Sequence, residues 1–126
     1  MPKKILIVED EANIRELLRL YLEREGYTVL EAENGVEGIK KWKSDKPDML
    51  LLDVMMPVMD GIEAVKAIRG LDREDAGTIP IFAMTAQASS ENVRKCLNAG
   101  MDGHIPKPIE ASKLGSTILK VKVHRN

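Results

Sequence analysis

The run Met49-Leu50-Leu51-Leu52-Asp53 constrains the chain more than any other stretch. It is too short for a helix that could bury itself, and its apolar residues do not alternate with polar ones. It therefore reads as a strand covered on both faces. The strand ends abruptly on a carboxylate. A charge at the end of a buried strand is costly unless partners converge on it, so the surroundings of Asp53 become the problem the rest of the chain must solve. Val54-Met55-Met56-Pro57 and then Asp60-Gly61 follow, so the chain leaves the strand, turns and starts a helix with Asp53 at the rim.

The same alternation recurs along the sequence. Lys4 to Val8 is a second apolar run, stopping at Glu9-Asp10-Glu11, and Ile14, Leu17, Leu18, Tyr21 and Leu22 then recur at helical spacing until Gly26. Thr28 to Ala32 reads as a strand. Asn34-Gly35 opens a helix that directs Val36, Ile39 and Trp42 inward, with Trp42 at the edge of the core, and ends by Pro47. After Asp53 a third helix buries Gly61, Ala64, Val65 and Ile68. Residues 70–78 form the longest polar connection and read as a solvated loop. Pro80 to Thr85 is a fourth strand, with Pro80 where a missing ladder donor is tolerated. Ser89 or Ser90 caps a helix through Val93, Cys96 and Leu97 to Gly100. His104 to Pro106 is a short fifth strand. Lys107-Pro108 leads into a last helix with Leu114, Ile118 and Val121 on its inner side. The expected fold is a single (βα)5 domain of the α/β class, a doubly wound parallel five-stranded sheet with helices on both faces.

Composition narrows the partners. With 126 residues, 44% of them hydrophobic and 31% charged, and a formal net charge of -1, the chain can bury a core without disulfides or structural metal. A disordered chain and a polycation that coats nucleic acid are both excluded. The single cysteine, Cys96, permits no disulfide within the chain, and its helical neighbours Val93 and Leu97 assign it to the core. No stretch approaches the roughly 20 apolar residues of a membrane helix, and the start Met-Pro-Lys-Lys lacks the apolar segment of a secretory signal. A cytoplasmic location, with no membrane and no direct nucleic-acid contact, is expected.

In open parallel sheets, ligands sit beyond the carboxyl ends of the strands where strand order reverses. Strand one ends in Glu9 and Asp10, strand three in Asp53 and strand four in Thr85, and strand five is followed by Lys107. Distant parts of the chain thus deliver carboxylates, a hydroxyl and an ammonium to one rim. Gathered carboxylates repel, and a hard divalent cation with oxygen ligands relieves this. Mg²⁺ suits the set best, because it keeps waters and binds through one or two carboxylates plus a phosphate. Thr85 and Lys107 supply a hydroxyl and a point charge for phosphoryl oxygens. A carboxylate can itself be the nucleophile and form an acyl phosphate. The residues therefore point to phosphoryl transfer onto Asp53, helped by positioning and charge neutralisation.

Ile-Val-Glu9-Asp10-Glu, Leu-Leu-Asp53-Val-Met-Met-Pro57, Met-Asp60-Gly61, Thr85-Ala86 and Lys107-Pro108 together resemble the signature set of receiver domains of bacterial two-component response regulators. The likeness runs in order over essentially the whole chain, so residues 1–126 are expected to form one receiver domain. It implies the flavodoxin-like strand order 2-1-3-4-5. It also implies that Asp53 receives a phosphoryl group from a phosphohistidine of a sensor histidine kinase or a histidine phosphotransfer domain. Asp10, Asp53 and the backbone carbonyl of Met55 would ligate Mg²⁺, with Glu9 acting mostly through water. Lys107 would pair with Asp53 before transfer and with the phosphoryl group after it. Thr85 would swing onto a phosphoryl oxygen, with room left by the small Ala86. A side chain three residues before the lysine would then move inward. That position is His104 here, where tyrosine or phenylalanine is commoner. Met55 and Gln87 occupy the positions that tune the lifetime of the phosphoryl group.

The resemblance implies a signalling domain that promotes only its own phosphorylation and dephosphorylation, not an enzyme acting on other substrates. It also makes the face of helix four, strand five and helix five the expected contact for a downstream protein or a homodimer. A Mg²⁺-dependent aspartyl phosphatase is the rival, but such enzymes place the nucleophile in a paired Asp-x-Asp after the first strand, where this chain has Glu9-Asp10-Glu11. A flavodoxin-like FMN carrier needs hydroxyl-rich phosphate loops and flanking aromatics, against an aromatic content of 3%. A non-phosphorylated dimerisation module is the third reading, opposed by the intact acid, threonine and lysine set. No output domain is expected after the fifth helix. A stand-alone regulator, a phosphorelay intermediate and a receiver taken from a larger protein all stay open.

Overall fold

The computed structural model describes residues 3–53, 61–70, 79–85 and 90–106, with the backbone alone at 61–64, 85, 90–93 and 106. Strands β1 (Lys4–Val8), β2 (Thr28–Ala32), β3 (Met49–Asp53), β4 (Ile81–Thr85) and β5 (Gly103–Pro106) alternate with helices α1 (Ala12–Arg24), α2 (Gly35–Asp45), α3 (Gly61–Arg69) and α4 (Ser90–Ala99). All pairings are parallel, in the order β2-β1-β3-β4-β5. This is the doubly wound sheet that the sequence pattern requires. The last helix expected from the sequence lies outside the described residues.

Strand alternation divides the core into two layers. Leu6, Val8, Leu50, Leu52, Ile81 and Ala83 pack on one face with Trp42, Val65, Ile68 and Cys96 from α2, α3 and α4. Ile5, Ile7, Met49, Leu51, Met84 and Ile105 pack on the other with Leu18 and Leu22 of α1. Each such aliphatic side chain contributes roughly 1.5–3 kcal/mol relative to exposure. A slip of one residue would exchange the two layers, so register is tightly specified. The edge strand β2 is half-exposed, and it carries the charged Glu31 within its span.

Helix ends follow local chemistry. The Asn34 side chain accepts from the Glu37 N–H at 2.9 Å and starts α2. Gly26 and Gly100 take φ of 95° and 112° after α1 and α4, the left-handed conformation that glycine adopts without Cβ strain. Pro80 sits just ahead of β4 rather than in it, and its carbonyl accepts from Leu50 N–H at 2.9 Å.

Three apolar residues assigned inward by periodicity point out: Leu17 is 56% exposed, Val36 40% and Leu97 48%. At about 100° per residue, each lies roughly 100–120° from the buried centre of its helix, marked by Leu18, Trp42 and Cys96 respectively. Trp42 is not at the core edge but wholly buried, at 0% exposure. Its neighbour Gly38 lets α2 approach β1 so closely that a Cβ there would stand 2.8 Å from Val8 Cγ2.

Candidate functional site

Parallel register decides what meets at the sheet's carboxyl rim. Val8 pairs with Leu52 and Asp53 with Met84, so Glu9, one step past Val8, arrives beside Asp53. Oxygen atoms of Glu9, Asp10 and Asp53 all lie within 4.8 Å of one another. Glu9 is 0% and Asp53 4% exposed, whereas Asp10 faces solvent. The three carboxylates named from the sequence are therefore brought together, two inside and one at the mouth. Mutual repulsion at this spacing, with little water around two of them, favours a divalent cation with oxygen ligands. The donor set is all oxygen and the mouth is open at Asp10, which fits an ion that keeps some of its water.

The turn after β1 is held by its own backbone. Glu9 N–H donates to Ala32 carbonyl at 3.1 Å, extending the ladder one step beyond the strand. Glu11 N–H donates to Glu9 Oε1 at 3.3 Å. Arg15, in the first turn of α1, donates from Nη1 to the Glu9 carbonyl at 2.7 Å. The sequence reading passed over Arg15. Its one signal was a cation near a helix N-terminus, where the helix dipole disfavours positive charge.

Thr85 closes β4, one step beyond the Met84 that pairs with Asp53, so its backbone stands at the same rim. His104 is half-buried on β5, paired with Ala83, and strand parity places it on the sheet face covered by α3 and α4. Lys107, Met55 and Gln87 lie outside the described residues. The pairing of Asp53 with Lys107, the Met55 carbonyl ligand and the Gln87 role are thus not placed by the geometry.

No described helix is long and apolar enough to cross a membrane. Burial pushes the Cys96 thiol up from its ordinary value, and its side chain belongs to the core, as the sequence suggested.

Comparison with known proteins gives the site its context. The response regulator receiver domain family matches residues 5–119. Transcriptional regulatory protein ResD of Bacillus subtilis is 44% identical over 119 residues, which are 94% of this chain and 46% of that protein. Chemotaxis protein CheY of Halobacterium salinarum is 39% identical over 121 residues, covering 96% of this chain and 98% of that one. The chain thus spans about half of the ResD length and nearly all of the CheY length. Among solved structures, chemotaxis protein CheY4 of Vibrio cholerae superposes with a TM-score of 0.90 at 32% identity, covering 96% of this chain and 99% of that one. The receiver domain of a sensor histidine kinase from Pseudomonas aeruginosa, solved with a magnesium ion coordinated in its active site cleft, has a TM-score of 0.86 at 29% identity, covering 95% of this chain and 97% of that one. A family match across most of the chain, on a fold and an acidic rim reached independently, establishes that this chain belongs to the response regulator receiver family.

Proposed function

We propose that residues 1–126 form one receiver domain in which Asp53 accepts a phosphoryl group from a phosphohistidine and the resulting charge alters partner binding. The observation that carries this reading is the buried Asp53 carboxylate at the strand end, within 4.8 Å of carboxylate oxygens from Glu9 and Asp10. In the transfer, an Asp53 carboxylate oxygen attacks phosphorus as the phosphorus–nitrogen bond to the donor imidazole breaks. The imidazole leaves neutral, and Asp53 becomes an acyl phosphate. Burial strips water from the nucleophile and holds it at the rim, where a donor can approach in line.

Asp10, Asp53 and the Met55 carbonyl would hold Mg²⁺, with Glu9 behind them through water. Bound there, the ion would offset carboxylate repulsion and the charge on the phosphoryl oxygens. The magnesium in the Pseudomonas aeruginosa receiver supports the assignment of the metal. Lys107 and Thr85 complete the set, as a charge and a hydroxyl for phosphoryl oxygens. Thr85 and His104 form the switch, Met55 and Gln87 tune hydrolysis, and α4 with β5 and the helix expected after it from the sequence would offer the face for a downstream protein or a second copy. The domain acts in the cytoplasm with a histidine kinase or phosphotransfer partner, and turns over no other substrate.

Phosphotransfer from a phosphorylated histidine kinase in Mg²⁺ is expected to label the wild type and leave Asp53→Ala unlabelled. Equal labelling of both would exclude Asp53 as acceptor, and turnover of a phosphate ester would restore the phosphatase reading. An unchanged phosphoryl lifetime in Gln87→Leu and Met55→Ala would remove the tuning roles. A beryllofluoride complex with His104 turned outward would remove its part in the switch.

A further inference from the structure

We propose that Arg15 is a positioning residue for the acidic site: by holding the Glu9 carbonyl it fixes the Glu9–Asp10 peptide plane, and with it the direction of the Asp10 carboxylate. The inference rests on the Mg²⁺ reading above and deepens it.

Asp10 is the exposed member of the carboxylate cluster and lies beyond the last ladder bond, the one from Glu9 N–H to Ala32. Nothing in β-sheet pairing orients it. The peptide joining Glu9 to Asp10 carries the Glu9 oxygen, and Arg15 Nη1 donates to that oxygen at 2.7 Å. Rotation of the peptide breaks this bond, and the same rotation swings the Asp10 Cα–Cβ direction away from Asp53.

Arg15 is itself held. Its Nε lies 3.5 Å from Glu31 Oε1, and its side chain is only 14% exposed. Glu31 is gripped in turn by Arg19 Nη1 at 3.0 Å, while its backbone carbonyl accepts from Lys41 of α2. The guanidinium thus spans from the edge strand β2 to the end of β1, with one nitrogen for each. A planar fork with donors pointing two ways is suited to this, whereas an ammonium is a single point.

Local chemistry does not account for a cation at this position. The α1 N-cap, Glu11, makes no side-chain capping bond, and the first turn holds no acid. Arg15 stands against the helix dipole there. The start of α1 is pinned instead through Arg15 to the strand end that carries the site.

Three roles for Arg15 predict different signs. If it acted through charge alone, removing a cation beside an acidic cluster would tighten Mg²⁺ binding. If it were structural only, melting temperature would fall and Mg²⁺ affinity would stay. Positioning predicts weaker Mg²⁺ binding, by about tenfold for Arg15→Ala, the scale seen when partners that orient metal ligands are removed. Arg15→Lys keeps the charge but cannot make both contacts, and is expected to bind Mg²⁺ more weakly than wild type. It also carries the test if Arg15→Ala does not fold.

The experiment is calorimetric Mg²⁺ titration of wild type, Arg15→Ala and Arg15→Lys, with amide hydrogen exchange in metal-free buffer. Faster exchange at the Glu11 amide in both variants, together with weakened Mg²⁺ binding, supports the proposal. Affinity equal to or tighter than wild type in both variants overturns it while leaving the functional reading intact. A wild type that binds no Mg²⁺ at millimolar concentration overturns that reading, and this inference with it.

Discussion

Cys96 is a residue whose chemistry follows from burial alone. Desolvation disfavours its thiolate and raises its pKa in the folded chain. The unfolded chain therefore loses that proton first, near the ordinary thiol value of about 8.5. Stability from the buried neutral thiol is fully present below that pH and declines as pH rises toward the folded value. Cys96→Ala leaves a small cavity and is expected to cost about 1 kcal/mol at neutral pH. The gap between the two proteins should narrow above about pH 9. Urea midpoints of both proteins from pH 7 to about pH 10 test this, and parallel profiles would show that the thiol does not titrate on unfolding. That Cys96 is buried was legible from its helical spacing; that its neighbour Leu97 is exposed was not. Apolar identity says that a residue can be buried, and only its angle from the centre of the buried stripe says that it is. Leu17 and Val36 miss for the same reason. Glu9 and Asp53 were legible because each directly ends an apolar run, and Asp10 because it follows Glu9 at the same strand end.

At the scale of elements, alternating short apolar runs and helical periodicities gave every described strand and helix to within about a residue or two. What they could not give was how closely one element approaches another. Gly38 reads locally as a weak point in α2, since glycine within a helix costs roughly 0.5–1 kcal/mol relative to alanine. In the fold it is the contact point between α2 and β1. A Cβ at 38 would sit 2.8 Å from Val8 Cγ2 and 3.3 Å from Cγ1, and Val8 is fully buried with a β-branched side chain that has few alternative rotamers. Gly38→Ala should therefore destabilise by about 1–3 kcal/mol in spite of its better helix propensity. A double-mutant cycle with Val8→Ala decides the cause: if the clash dominates, Gly38→Ala costs much less in the Val8→Ala background. Additive costs would locate the effect in the helix itself. Arg15 escaped the sequence for a related reason, because its contacts reach Glu9, just past β1, and Glu31 on β2, and no periodicity reports a bond across elements.

At the scale of the molecule, strand order β2-β1-β3-β4-β5 brings β1 and β3 side by side, and their carboxyl ends carry the acidic cluster. The fold thus holds repelling charges together by hydrophobic pairing of the strands beneath them. Gathered carboxylates repel, and a bound cation would offset that repulsion, so Asp10 is the residue that tests the balance. Asp10 is exposed, so Asp10→Asn removes charge without opening a cavity. In EDTA the variant should melt at the same temperature as the wild type or higher, because the repulsion is relieved. In Mg²⁺ the order should reverse. At about ten times its dissociation constant, the ion adds roughly 1.4 kcal/mol to the wild type, a shift of a few degrees for a domain of this size, and the variant should gain little of it. The crossing of the two melting curves between EDTA and Mg²⁺ is the signature of a site whose carboxylates are held against their own repulsion. A large drop in melting temperature for Asp10→Asn in EDTA would instead mean that Asp10 is a structural partner in the fold, and the cluster would lose its reading as a cation site.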